Sequence, residues 1–162
     1  MKSKYFKAHE LVSEKVYRKY SEDVIMSRAN KDLIRLIDWI REMSGVPIVI
    51  NNWKNGGSFQ QRGYRSNMDQ IVRDSTNKGS VNLSAHNLFM AADMNPTSSS
   101  GKSAEWLWDK IKNNASSAPC NFRMENKTAT VNSNGQVSWV HVDVAIDDND
   151  PIGHKKAYVF NP

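Results

Sequence analysis

The chain has 162 residues, of which 39% are hydrophobic and 24% are charged, so the composition predicts a folded protein and excludes a disordered one. Lys and Arg outnumber Asp and Glu by 22 to 17, and the net charge of +5 favours an anionic partner, although it equally suits an ordinary soluble surface. The single cysteine, Cys120, excludes an intrachain disulfide and a cysteine-rich zinc site, and we expect it to be a small buried hydrophobe.

The length predicts one domain over residues 1–162, and we expect a monomer. The basic N-terminal residues are followed by no apolar run, so no signal peptide is visible, and no segment is apolar enough to span a membrane. We therefore expect synthesis in the cytoplasm. The basic residues are scattered and belong to no nucleic-acid-binding motif, so nucleic acid is not an expected partner.

Helical periodicity dominates the first part of the chain. Residues 6–20 predict a first helix, and residues 31–44 predict a clearer one, with Asn30 as the N-cap and Gly45 as the stop. A short β-rich run follows at residues 48–50.

The middle of the chain carries two further helix signals. Ser66 followed three residues later by Asp69 predicts a short helix that extends to about Asp74. Residues 97–103 predict a surface loop, which ends at a Ser103 cap for a helix that carries Trp106, Leu107 and Ile111.

The last third is strand-like. Residues 122–131 and 137–146 predict two antiparallel strands that are joined by a turn at Asn134-Gly135. In the second strand the side chains alternate, with Val140, Val142 and Val144 on one face and Trp139, His141 and Asp143 on the other. This pattern suits a sheet with one buried face and one face that lines a site, and it equally suits a sheet with one wet face.

Two imidazoles and a carboxylate, from His86, Asp93 and His141, form a ligand set that suits zinc and leaves a fourth position open. A fully extended chain would separate His86 from Asp93 by about 23 Å, so the backbone must turn between them. We expect His86 in the loop that enters a strand, Asp93 on that strand and His141 on the neighbouring strand. Each residue alone would more often have an ordinary structural role.

The residues Ser84, His86, Ala91 and Asp93, followed by the segment Trp139-Val-His141-Val-Asp143, resemble the motifs of the zinc peptidases of family M15. This family contains D-Ala-D-Ala carboxypeptidases, dipeptidases and phage endolysin peptidases, and it shares its fold with the hedgehog signalling domain. The upstream segment Gly63-Tyr64-Arg65-Ser66 is similar to a further family motif.

The resemblance implies an α+β fold in which helices flank a small antiparallel sheet, with zinc held by His86, Asp93 and His141 on one face. It implies hydrolysis of peptide bonds in peptidoglycan stem peptides that contain D-amino acids, by a carboxypeptidase or an endopeptidase. It places Arg65 at the substrate or the developing oxyanion. The substrate-binding residues expected beside it are Ser84, Tyr64 and Trp139, with Trp53 as a further aromatic wall. Such an enzyme would act on the cell wall after phage-type release or export.

Two positions depart from the family pattern. Phe89 stands where the family has glycine, which matters if the backbone there requires positive φ. Ser138 stands where several members carry a general-base glutamate, and a hydroxyl cannot take a proton from water at neutral pH. A base must then come from elsewhere, or the enzyme is weak or inactive. The candidates are Glu125, which we prefer, and Asp143, which could instead orient a metal ligand. The alternative is a zinc-containing binding domain of the same fold without catalysis.

Overall fold

Six α-helices and a five-stranded sheet form an α+β fold in the part of the chain that the structure describes. The structure is a computed structural model and describes residues 2–81, 83–146 and 157–162. The helices are α1 (Ala8–Leu11), α2 (Glu14–Lys19), α3 (Glu22–Arg28), α4 (Lys31–Ser44), α5 (Gln70–Asn77) and α6 (Ala104–Asn114). The strands are β1 (Ile48–Val49), β2 (Ala91–Pro96), β3 (Phe122–Glu125), β4 (Val140–Asp143) and β5 (Ala157–Phe160).

The sheet has the strand order β1-β2-β4-β3-β5 and is mixed. Neighbouring strands are antiparallel except β5, which pairs in parallel with β3. The prediction of a purely antiparallel sheet is therefore wrong at this edge. The predicted pairing of the His141 strand with both of its neighbours is confirmed, since β4 lies between β2 and β3.

The helix α4 forms where the sequence predicts it because both of its ends are specified. The Asn30 side chain accepts hydrogen bonds from two backbone N–H groups of the first turn, and Gly45 ends the helix with φ of 71°. Its apolar stripe packs into one hydrophobic cluster with α6 and the sheet. At 14 residues it is the longest helix described, and none of the described helices could cross a bilayer.

The predicted helix over residues 6–20 is instead two short helices, α1 and α2, separated at Val12 and Ser13. Tertiary hydrogen bonds replace the helical ones there. The carbonyl of Leu11 accepts from the backbone N–H of Tyr64, and the carbonyl of Val12 accepts from the side chains of Asn51 and Trp53. The break fixes the segment that carries Gly63 against the N-terminal helices.

Other element boundaries also differ from the sequence prediction. The strand predicted over 137–146 is confined to Val140–Asp143. The strand predicted over 122–131 ends at Glu125, because Asn126 caps a 3-10 turn at Lys127–Thr130. The helix predicted from Ser66 begins at Gln70, because the Asp69 carboxylate accepts hydrogen bonds from Ser66 and closes a turn before the helix.

Predictions for a loop, a helix cap and the cysteine have mixed outcomes. The residues of 97–103 lie at the surface or half-buried, and Ser103 caps α6 as predicted. Cys120, expected to be buried, is only half-buried.

Candidate metal centre

His86, Asp93 and His141, which we call the cluster, are brought together by three adjacent elements. His86 lies in the 3-10 turn Ala85–Leu88 that leads into β2, Asp93 lies on β2, and His141 lies on β4. Asp93 and His141 are direct partners in the antiparallel register, so the sheet itself places them side by side. All three residues are buried, and their positions agree with the placement predicted from their spacing.

The ligand atoms of the cluster converge on one point. His141 Nδ1 lies 2.8 Å from Asp93 Oδ1, and His86 Nε2 lies 3.3 Å from the same oxygen. All three ligand atoms lie within 4.8 Å of one another. Ligands about 2.0–2.1 Å from a tetrahedral zinc ion are separated by about 3.3 Å, so the residues fit such an ion with small adjustments.

The remaining nitrogen of each imidazole is held by an acceptor outside the cluster. His86 Nδ1 lies 2.7 Å from the carbonyl oxygen of Gly63, which can only accept, so this nitrogen carries the proton. His141 Nε2 lies 3.1 Å from Asp143 Oδ2. These contacts turn His86 Nε2 and His141 Nδ1 towards Asp93. Once deprotonated, the two nitrogens would present lone pairs in the arrangement typical of histidine ligands to a metal.

The electrostatics of the cluster favour a positive charge at its centre. Burial opposes ionisation of Asp93, but hydrogen bonds with His141 and His86 outweigh burial and hold its pKa well below the usual range. Burial also opposes the charged form of His141, yet hydrogen bonds with Asp143 and Asp93 raise its pKa to about 9. Both Asp93 and Asp143 are therefore ionised, and the positive charge that they stabilise between them is that of the His141 imidazole.

Arg65 lies beside the cluster, but its guanidinium is already engaged. Its Nη2 donates to Asp93 Oδ2 at 2.9 Å, and its Nε donates to the carbonyl of Gln61. The backbone N–H of Arg65 donates to the carbonyl of His86 and so ties this segment to the 3-10 turn. Arg65 therefore orients Asp93 and also lines the cavity next to it.

Asp143 and Glu125, the two candidate bases, have different surroundings. Asp143 is fully buried, and its oxygens accept from Arg123 Nε at 2.9 Å, from the backbone N–H of Ala145 at 2.9 Å and from His141. Burial raises the pKa of Asp143, but the contacts with His141 and Arg123 lower it overall. Glu125 is half-buried, and within the described residues its side chain makes no hydrogen bond or ion pair.

A cavity of about 430 Å³, which we call the metal-side cavity, opens over the cluster. It brings together most of the residues singled out in the sequence, namely Arg65, Ser84, Glu125, Trp139 and Asp143 with the three cluster residues. The Ser84 hydroxyl also accepts from the backbone N–H of His86 and so caps the turn that presents this ligand.

Two predicted aromatic residues lie away from this cavity. The Tyr64 ring stacks on Phe89 with a centroid distance of 5.1 Å and lines a separate apolar cavity behind the turn. Trp53 packs against His9 and Tyr17, and its indole N–H donates to the carbonyl of Val12.

Arg123 and Phe160 line the metal-side cavity but were not singled out in the sequence. Alternation in β3 places Arg123 on the same face as Glu125, so period-2 reasoning could have found it. Phe160 lies on β5, whose parallel pairing has no local sequence signal.

Phe89 adopts the left-handed conformation, with φ of 57°. Among the residues that the structure describes, it is the one non-glycine residue with a positive φ. The turn between the two ligands thus has the positive φ that the family's glycine suggested. Here the strain is offset by packing, because Phe89 is 4% exposed and stacks on Tyr64.

Comparison with protein-family models, with curated proteins and with solved structures finds no match to this chain. The resemblance to zinc peptidases therefore depends on the motif residues alone.

Proposed function

We propose that this protein is a zinc-dependent peptidase that hydrolyses peptide bonds in peptidoglycan stem peptides. The observation that carries the proposal is the pairing of two features in one cavity. The cluster directs its ligand atoms inwards, and Glu125, a carboxylate without a hydrogen bond or salt bridge among the described residues, lines the same space. A hydrolase needs both a cation site and a free proton acceptor.

His86, Asp93 and His141 would hold the zinc ion, and their three atoms leave a coordination position on the side of the cavity. Bound there, zinc would polarise a substrate carbonyl and lower the pKa of water. Asp143 would keep His141 in the correct tautomer, a role supported by its contacts with Arg123 and Ala145.

Glu125 is the general base in this proposal. It accepts a proton from the attacking water and returns it to the amine that leaves. Arg65, which lines the same cavity, would stabilise the oxygen of the tetrahedral intermediate while it keeps its contact with Asp93. Asp143 is a poorer candidate for the base, since both of its oxygens are already occupied.

The substrate class is supported by the motif resemblance and by charge. The segments around Ser84, His86, Asp93 and His141 resemble those of peptidases that act on the bacterial wall. The net charge of +5 suits an anionic wall polymer.

A second candidate is a zinc-containing binding domain without catalysis. Ser138 favours it, because this position carries glutamate in several members of the resembled family. In this chain the backbone of Ser138 bonds to Thr130 and Asn95, and its hydroxyl is no substitute for a base.

The deciding experiment incubates zinc-loaded protein with defined muropeptides and measures product masses. We expect cleavage by the native chain and by Glu42→Gln, a matched control at an exposed carboxylate. We expect Glu125→Gln to bind zinc normally and to lose cleavage. Stoichiometric zinc with no cleavage of any muropeptide by the native chain would establish the binding domain instead.

A further inference from the structure

A second cavity, which we call the Arg62 cavity, continues from the metal-side cavity past Arg65. It has a volume of about 470 Å³ and is lined by Phe59, Arg62 and Trp139 among others. The two cavities share Arg65, Ile71, Asp93 and Trp139 as wall residues, so they are adjoining compartments of one cleft. A peptide that crosses the cluster would place residues in both.

The guanidinium of Arg62 lies between two aromatic rings in this cavity. Its Cζ lies 3.5 Å from the ring centroid of Phe59 and 5.8 Å from that of Trp139. Its Nη1 donates to the side-chain oxygen of Asn95, whose amide in turn donates to the carbonyl of Ser138. The position of the charged group is thereby fixed from three sides.

The backbone of Arg62 is anchored to the metal centre. Its N–H donates to Asn51 Oδ1 at 3.0 Å, and its carbonyl accepts from the backbone N–H of Asp93 at 2.7 Å. A ligand held by Arg62 would therefore be held at a fixed position relative to the cluster.

Arg62 differs from the other guanidinium groups of the cleft in its partners. Arg65 pairs with Asp93 and Arg123 pairs with Asp143, whereas Arg62 forms no ion pair with any carboxylate in the described ranges. Burial lowers the pKa of Arg62, and the charge of the Asp93 carboxylate, with which it forms no ion pair, offsets part of this effect, so the guanidinium stays charged at neutral pH. A partly buried cation with a neutral partner still has N–H groups able to bind an anion.

We propose that Arg62, held between Phe59 and Trp139, binds a carboxylate of the peptide substrate. That the carboxylate belongs to a peptide substrate rests on the function proposed above. The binding of a carboxylate to Arg62 does not depend on that function. The carboxylate has two sources, the C-terminus of the peptide or an acidic residue within it. The first source makes the enzyme a carboxypeptidase, and the second makes it an endopeptidase.

The test in turnover uses four peptides that share one cleavable bond. One pair differs in a C-terminal carboxylate or carboxamide, and the other in an internal glutamate or glutamine. With the native chain, we expect the KM values to differ within the pair whose carboxylate binds Arg62. The neutral peptide of that pair should have a KM about 10-fold to 100-fold higher, the effect expected for a lost hydrogen bond to a charged group. Arg62→Gln should abolish the difference, whereas Lys54→Gln, at an exposed site outside the cleft, should keep it. Equal KM values within both pairs would overturn the proposal.

A binding measurement separates this proposal from the proposed function. N-acetyl-D-alanine and its amide are titrated into Glu125→Gln, and the indole resonance of Trp139 is followed by NMR. We expect the acid to shift this resonance and the amide to bind at least 10-fold more weakly. Adding Arg62→Gln should remove this preference for the acid, and adding Arg62→Lys should keep part of it. Thermal melts verify that each variant is folded. Binding of the acid without any cleavage of muropeptides by the native chain refutes the peptidase alone, and cleavage by the native chain without a preference for the acid refutes the Arg62 site alone.

Discussion

The charged groups of the cleft fall into two regions with opposite character. Around the cluster every charge has a charged partner, since Asp93 contacts Arg65 and both imidazoles, and Asp143 contacts Arg123 and His141. On the walls of the cleft, Glu125 and Arg62 have no charged partner within hydrogen-bond distance among the described residues. Paired charges hold geometry, because moving one leaves the other buried and uncompensated. Groups without such a partner are free to meet a proton or an anion. The comparison therefore assigns mainly positioning to the first region, where Arg65 would in addition contact the substrate, and reaction with substrate to the second.

The largest expected effect comes from removing a residue of the paired region. His86→Ala deletes a ligand that no other described side chain can replace, so we expect loss of stoichiometric zinc and of all cleavage. Metal content after gel filtration measures the first effect, and muropeptide turnover measures the second. His9→Ala, outside the cluster, should retain both. Full zinc occupancy in His86→Ala would overturn the assignment of the metal centre.

The next effect tests the region without charged partners. Glu125→Gln should lower kcat by about 100-fold to 10,000-fold, the usual contribution of a general base. The same variant should keep its zinc, because Glu125 is not a member of the cluster. Turnover and metal content are measured on the same preparation. Unchanged kcat would move the proton acceptor elsewhere and remove the functional contrast between the two regions.

A third prediction concerns the turn that joins two cluster residues. Removing a buried Phe ring costs about 3–5 kcal/mol, while glycine at φ of 57° recovers about 1 kcal/mol of backbone strain. Phe89→Gly should therefore lower the free energy of unfolding by about 2–4 kcal/mol, and Phe89→Ala should lower it by about 1 kcal/mol more. At most positions a glycine variant is less stable than the alanine variant. If urea unfolding shows that Phe89→Gly is the more stable of the two, the left-handed conformation of residue 89 is supported.

The smallest effect loosens the paired region without removing a ligand. Asp143→Asn keeps an acceptor for His141 but removes the charge that holds Arg123. We expect zinc affinity to fall by about 10-fold to 100-fold, as for other residues that orient metal ligands. Competition with a calibrated chelator measures the affinity. A loss of kcat with unchanged affinity would instead favour Asp143 as the base.

The positions of the cluster residues were predictable because the constraint is local and geometric. Seven residues cannot bring His86 and Asp93 to one ion without a turn, and alternation along β4 puts His141 and Asp143 on one face. The contact between His86 Nδ1 and the carbonyl of Gly63 was not predictable, because Gly63 is 23 residues away along the chain. The same holds for Arg62, whose aromatic neighbours come from separate segments.

Helix boundaries were predictable where strong capping residues define them. They were unpredictable, as was the strand order, where hydrogen bonds between distant parts of the chain determine the structure. Asn30 and Gly45 fix α4 at both ends. The break at Val12 arises because the Val12 carbonyl accepts hydrogen bonds from the side chains of Asn51 and Trp53. The parallel strand β5 pairs with β3 across more than 30 residues of chain. Such contacts leave no periodic signal in the local sequence.

The register that places Asp93 opposite His141 has a consequence for the handling of the protein. Because backbone pairing and a hydrophobic cluster bring these two residues together, we expect folding and metal uptake to be separable events. A chelator should then strip the metal and leave the fold intact, unlike the case of a zinc finger. The stripped protein can be reloaded with cobalt, whose visible absorption reports the number and geometry of the ligands without any assay of turnover.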